Sequence, residues 1–168
     1  MTSFALTDST VADLLEYEDL GADADPAGGD GADGHDGPRR DTPWVVLADD
    51  DADARDLAQF RLERAGFTVF PAADGPSAWD EILTTRPDLV VVEWSLPGRT
   101  GLDLCRAVRD ERTLRHTRIL VVTRRHQPLY REWAHQVGCD AILTKPFSGP
   151  DLTRTVRGLL PHHAAVIG

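Results

Sequence analysis

The sequence predicts an α/β domain in which a doubly wound, five-stranded parallel sheet is covered by five helices. First, five short apolar runs alternate with five segments of helical apolar spacing, an order that is typical of parallel sheets. Second, residues 89–93 are apolar up to Glu93, which favours a central strand. Right-handed crossovers then place the helices on both faces of the sheet.

The remaining elements follow from local patterns on either side of that strand. Residues 44–48 form an apolar run that ends in acids, as a buried parallel strand does. Gly66 and Gly138 stand where helices commonly end, and Pro87 stops another helix. The other strands are predicted at 67–72, 118–123 and 141–144, and the helices at 53–65, 75–85, 101–110, 128–137 and 150–160.

The acidic charge of the chain is concentrated before the predicted domain, which spans residues 43–161. Residues 1–42 carry eleven acids and two arginines, a net charge of −9 out of −10. We expect this extension to be disordered, since residues 21–42 show no apolar periodicity. Residues 9–20 have the spacing of a short helix, which is either a fraying tail or a docking peptide. Residues 162–168 form a short tail.

The composition argues against several classes of function. A strongly acidic segment repels phosphates, so we expect no direct nucleic-acid binding. No run of about 18 apolar residues could span a membrane, and the N-terminus lacks the pattern of a secretory signal. We therefore expect a cytoplasmic protein without membrane contact. Cys105 and Cys139 have no metal-ligand spacing and are expected to be reduced thiols.

Polar side chains follow the predicted strands and should meet at one edge of the sheet. These residues are Asp49, Asp50, Asp51, Glu93, Thr123 and Lys145. Because the carboxyl ends of parallel strands lie at the same edge, we expect these side chains to share a crevice. Oxygen ligands suit Mg²⁺ better than zinc, and lysine and hydroxyl donors suit a phosphoryl oxygen. The alternative is that Asp51 or Asp53 only caps the first helix.

Four sequence blocks resemble a response-regulator receiver domain of two-component signalling. In chain order they read VVLADDD, VVVEWSLPGRTG, ILVVT and LTKPF, and their spacing fits the family from Trp44 to Leu160. The resemblance implies a flavodoxin-like fold and a cis peptide bond between Lys145 and Pro146. It implies a signalling module rather than an enzyme, and no His or Ser is placed as a nucleophile beside a base.

The resemblance also implies a role for each residue of the crevice. Asp49 and Asp50 match the acidic pair that helps to hold Mg²⁺, and Ser95 matches the residue whose backbone carbonyl completes the metal site. Thr123 matches the switch hydroxyl, and Lys145 matches the lysine that contacts the phosphoryl group. The residue at the phosphoacceptor position would be a further ligand of a weak Mg²⁺ site, and at this position the sequence differs from the family.

Glu93 stands at that acceptor position, where the family has an aspartate. Its carboxylate lies one methylene farther out, and a misplacement of about 1 Å costs about 10²-fold in rate. We therefore predict an atypical receiver that works by protein–protein interaction without phosphorylation. We expect Glu93 to form a salt bridge with Lys145 and a hydrogen bond with Thr123. The alternatives are a site whose fold alone matters and a conventional phosphorelay receiver that still accepts phosphate.

Three neighbouring residues also bear on the predicted switch. Arg124 either narrows access to the crevice or points into solvent. Ile142 stands where the family has an aromatic switch residue, so its coupled motion with Thr123 should be altered. Trp94 has family precedent as an aromatic beside the acceptor, and the alternative is an exposed packing residue.

The expected partners are proteins: a sensor kinase, a downstream regulator or a second copy of the chain. Arg131, Trp133 and Asp151 mark the face on which the family often dimerises. A basic sector on the domain is either a solvated face or a docking surface. It comprises Arg106, Arg109, Arg112, Arg115, Arg118, Arg124, Arg125, His126 and Arg131.

Overall fold

The computed structural model of the chain describes residues 40–160. The helix predicted at 9–20, most of the extension predicted at 1–42, and the tail at 162–168 lie outside the described residues. Arg40, however, donates from Nη2 to the carbonyl oxygen of Thr85 at 3.0 Å, and its guanidinium lies 3.8 Å from the ring centre of Trp44. Arg40 therefore lies against the domain, and disorder of the extension stays a prediction.

The helices and strands alternate in the predicted order. The strands are β1 (Trp44–Ala48), β2 (Thr68–Ala72), β3 (Leu89–Glu93), β4 (Arg118–Thr123) and β5 (Ala141–Thr144). The helices are α1 (Ala52–Arg64), α2 (Gly75–Thr85), α3 (Gly101–Asp110), α4 (Pro128–Gln136) and α5 (Gly149–Leu159). Each bound lies within one residue of the prediction, and one short 3₁₀ turn at Arg112–Leu114 was not predicted. Asp51 is the N-cap of α1, since its side chain accepts from the Ala54 amide.

The five strands form one parallel sheet in the order β2-β1-β3-β4-β5, which confirms the doubly wound topology and the central position of β3. Strand β1 pairs with β2 on one side and with β3 on the other, so the order of strands switches beside β1. In such sheets the crevice for a ligand lies at the carboxyl ends of the strands next to the switch. The fold thereby places the ends of β1 and β3 at the centre of that edge.

Two apolar layers cover the sheet. Helices α1 and α5 bury Leu62, Leu152 and Val156 against one face, while α2, α3 and α4 cover the other. Side chains of β3 alternate between the two layers, as the two-residue period of a strand requires: Val91 enters the first layer and Val90 the second. Among the described residues, no helix is both long enough and apolar enough to cross a membrane.

Arg109 is a structural residue rather than part of a free basic sector, which corrects the prediction made for it. Its Nε donates to the carbonyl oxygen of Gly138 at 2.8 Å, Nη1 to that of Thr117 at 2.8 Å, and Nη2 to Asp140 Oδ2 at 2.7 Å. One guanidinium thus satisfies three acceptors between α3 and the segments before β4 and β5. The basic surface is smaller than the sequence indicates.

Both cysteines are free thiols, and both are buried: Cys105 in α3 and Cys139 between α4 and β5. Burial is the main cause that raises the pKa of Cys105 to about 12 and that of Cys139 to about 11. Both thiols are therefore protonated near neutral pH, and protonated thiols are poor nucleophiles and poor metal ligands.

Candidate functional site

The carboxyl ends of the strands form a polar recess of about 460 Å³. Because all strands run in parallel, residues that are distant in the chain arrive at the same edge. The recess brings together seven of the residues predicted from the sequence. They are Asp49, Asp50, Asp51, Glu93, Ser95, Thr123 and Lys145. Arg124 and Arg125 complete the lining, and Ile142 is not part of it.

Lys145 lies between two carboxylates at the floor of the recess. Its Nζ donates to Asp49 Oδ2 at 2.6 Å and lies 2.8 Å from Glu93 Oε2. The three side chains are only 15%, 10% and 9% exposed, respectively. The predicted salt bridge between Glu93 and Lys145 is therefore confirmed, and one ammonium group bridges two acids from different strands.

The contact between Glu93 and Lys145 is an ion pair rather than a well-directed hydrogen bond. Glu93 Oε2 is buried and, within residues 40–160, has no hydrogen-bond partner of suitable geometry. Burial on its own would lower the pKa of Lys145, but its hydrogen bond to Asp49 and its short charge contacts with Asp49 and Glu93 outweigh burial and raise that pKa above its usual value. Lys145 is consequently charged at every physiological pH.

The backbone fixes the position of each partner. Asp49 Oδ1 accepts from the Asp51 amide at 3.0 Å, which orients the carboxylate toward Lys145. The Lys145 amide donates to the Thr123 carbonyl at 2.8 Å, and its peptide bond to Pro146 is cis, as the resemblance implied. A Cβ atom on Gly101 would lie 2.5 Å from the Glu93 carbonyl oxygen, so glycine lets α3 begin directly against the end of β3.

Thr123 is engaged differently from the prediction. Its Oγ1 accepts from the Arg125 amide at 3.0 Å, and the hydrogen bonds among residues 40–160 include none between Thr123 and Glu93. The expected hydrogen bond was therefore wrong, and the turn after β4 supplies the partner of the hydroxyl instead. Arg125 also donates from Nη1 to Tyr130 Oη at 2.9 Å and lies over the Tyr130 ring.

Tyr130 in turn packs edge-on against Trp94 with ring centres 5.4 Å apart. Trp94 is buried, so its reading as an exposed packing residue was wrong: Tyr130 covers it. Sequence reasoning missed both Arg125 and Tyr130 as neighbours of the recess. The aromatic at the start of α4 was the available signal, but only the loop conformation shows that it reaches the residue beside Glu93.

Arg124 and Ile142, the two other departures from the family pattern, are not part of the ion pairs of Lys145. Arg124 points into solvent, with 73% of its side chain exposed, and its Nη2 lies 3.7 Å from Asp51 Oδ2 at the rim of the recess. Ile142 is half-buried in β5 and packs against the core layer of α2, α3 and α4.

The carboxylates do not form a ready cation site. Among the described residues, no group of three or more His, Cys, Asp or Glu side chains is placed to hold a metal ion. Asp49 and Glu93 direct oxygens at the Lys145 ammonium, and Asp50 is exposed. The donor set predicted for Mg²⁺, completed by the Ser95 carbonyl, does not fit the ion in this arrangement, because two of its three carboxylates are paired with the Lys145 ammonium.

Known proteins share both the sequence pattern and the fold. The sequence model of the response regulator receiver domain matches residues 45–157. The chemotaxis protein CheY4 of Vibrio cholerae is 29% identical, with a TM-score of 0.67 over 70% of this chain and 98% of that one. A response regulator from Chloroflexus aurantiacus is 28% identical, with a TM-score of 0.68 over 71% of this chain and 98% of that one.

A third solved structure agrees with these two. The receiver domain of a Francisella response regulator is 26% identical, with a TM-score of 0.67 over 72% of this chain and 98% of that domain. The family match covers well over half of the chain and includes every strand end that lines the recess. The protein therefore belongs to the response regulator receiver domains of two-component signalling.

Proposed function

We propose that this receiver signals without phosphorylation at its acceptor position, through contact with a sensor kinase or a downstream regulator, and that it is not an enzyme. The observation that carries the proposal is the bridge from the Lys145 ammonium to Asp49 and Glu93. In that arrangement a buried lysine, rather than a divalent cation, balances the charge of the two acids.

An acceptor carboxylate must be free to attack a phosphorus atom in line. Glu93 Oε2 is instead buried against Lys145, and its carboxylate is one methylene farther from the backbone than an aspartate would place it. A misplacement of about 1 Å costs about 10²-fold in rate. Mg²⁺ would bind weakly, since it has to displace the ammonium from Asp49 and Glu93 first.

The residues that would transmit a phosphorylation signal are also arranged for one state. The Thr123 hydroxyl is engaged by the Arg125 amide, and Ile142 has no polar group that could follow a movement of that hydroxyl. A receiver built in this way presents a constant surface to its partner. Control would then come from how much of the protein is present or from what binds to it.

A phosphodonor assay on the full chain tests the proposal. Phosphoramidate is the suitable donor because it carries no acyl group that could modify Lys145, which is the only lysine in the chain. We expect intact-mass spectrometry to find no added phosphoryl group on the wild type, with or without Mg²⁺. Glu93→Asp is the matched variant, because it restores the acceptor and leaves the other strand ends unchanged.

A phosphoryl group on Glu93 of the wild type would refute the proposal and favour a conventional phosphorelay receiver. Phosphorylation of the Glu93→Asp variant alone would show that the acceptor was the only missing part.

A separate proposal concerns self-association through Arg131, Trp133 and Asp151. Sedimentation should then show a dimer that Arg131→Glu weakens, and a wild-type monomer at all concentrations would exclude it.

A further inference from the structure

A second cleft, of about 580 Å³, lies beneath α1 and is separate in character from the polar recess. Its floor is formed by side chains of the sheet, including Leu47, Val91 and Val122, and Leu152 of α5 closes one side. The cleft reaches the ion pair at one end, where Glu93 and Lys145 border both cavities. Most of its wall is apolar, as in sites that take small organic molecules.

The cleft exists because α1 places small side chains toward the sheet. Ala54 and Ala58 line it together with Leu57, which is 58% exposed, while Phe60 of the same helix is 51% exposed and lies outside the lining. Protein interiors are normally packed to the density of organic crystals. Alanine at these two positions leaves the space between α1 and the sheet unfilled, and this opening is accessible from solvent.

In the part of the chain that the structure describes, one cation on the wall of the cleft has no charged partner. Arg61 lines it with its stem against Gly149, where an added Cβ would lie 3.0 Å from Arg61 Nε. Within residues 40–160 the Arg61 guanidinium has neither a hydrogen bond nor an ion pair, and Arg124 and His126 border the same cleft. Lys145 is already matched by its two acids. An anionic group would therefore meet one unmatched cation at the wall, the Arg61 guanidinium.

We propose that this cleft is a binding site for an amphipathic organic anion, a small molecule with an apolar body and one anionic head. The body would lie over the sheet side chains beneath α1, and the head would be neutralised by Arg61. The volume of the cleft falls within the range of about 300–1,000 Å³ that is usual for small-molecule sites. This site does not rest on the absence of phosphorylation, so either proposal can fail without the other.

The first test asks whether an apolar anion binds in this cleft. The probe is 8-anilinonaphthalene-1-sulfonate, titrated into the full-length protein and followed by fluorescence, and we expect saturable binding to one site. Ala58→Leu, and separately Ala54→Leu, would fill the cleft and weaken binding by at least about tenfold. Both should also raise the midpoint of thermal unfolding, which shows that they fold. Leu83→Ala on α2, outside the cleft, is the matched control and should bind like the wild type.

The second test asks about the charge of the head. Decanoate should displace the probe at lower concentration than decyltrimethylammonium, and Arg61→Gln should reduce that preference by about fivefold. Equal displacement by both amphiphiles would overturn the anionic assignment. The cleft itself would be excluded if folded Ala58→Leu and Ala54→Leu bound the probe like the wild type. It would also be excluded if only Phe60→Ala abolished binding, because the probe would then report an exposed patch suited to a protein partner.

Discussion

Replacing Lys145 with methionine removes the cation between two buried acids while keeping most of the side-chain volume. At an effective dielectric constant of about 20, opposite charges separated by 2.6–2.8 Å attract by about 6 kcal/mol. The cost of removing all three groups from water offsets much of this attraction. Breaking a buried pair by deleting one partner typically costs about 3–5 kcal/mol. Because each group keeps some exposure, we expect Lys145→Met to lower the free energy of unfolding by about 3 kcal/mol.

Urea unfolding at neutral pH measures this loss, and the chain offers a matched control. Arg154→Met removes an exposed ion pair to Asp151 and should cost less than about 1 kcal/mol. Adding Glu93→Gln to Lys145→Met should recover part of the loss, since one of the two unmatched charges disappears. A Lys145→Met protein no less stable than the Arg154→Met protein would show that the triad does not hold the site together.

Three further outcomes are expected from unfolding experiments. Gly101→Ala should cost about 1–3 kcal/mol because its Cβ meets the Glu93 carbonyl, whereas Gly158→Ala, with open space around it, should gain about 0.5–1 kcal/mol. Asp140→Asn should cost about 2 kcal/mol in urea, because that carboxylate accepts from one amide and two guanidinium groups. Since the folded state raises the pKa of Lys145 above 10.5, the stability advantage over Lys145→Met should persist below pH 10.5 and vanish as pH rises further.

The sequence was sufficient for the fold and for the residues that the strand ends bring to the recess, and the reason is topological. Once five parallel strands are predicted, their ends must share an edge, so Asp49, Glu93 and Lys145 meet wherever the helices lie in detail. The ion pair between Glu93 and Lys145 could be predicted because their charges are opposite and the shared edge brings them close together. The predicted helix bounds lie close to the observed ones because capping residues such as Asp51 are local signals in the sequence.

Loop geometry and packing defects could not be predicted in the same way. The sequence indicated Glu93 as the partner of the Thr123 hydroxyl, and only the conformation of the turn after β4 shows that the Arg125 amide donates to it. The cleft beneath α1 depends on which face of a weakly amphipathic helix meets the sheet. Ala54 and Ala58 fit a helical stripe in the sequence, but the stripe does not reveal that their small volume leaves the space unfilled.

The bridge from Lys145 to Asp49 joins residues 96 positions apart in the chain. Closing so long a segment is entropically costly, so contacts of this kind form after the local helices and the first strand pairs. We expect the triad to be absent from the folding transition state. Lys145→Met should then leave the refolding rate nearly unchanged and accelerate unfolding, which stopped-flow measurements would show as a shift of one arm of the chevron. The ion pair would thus govern how long the folded state lasts rather than how quickly it is reached.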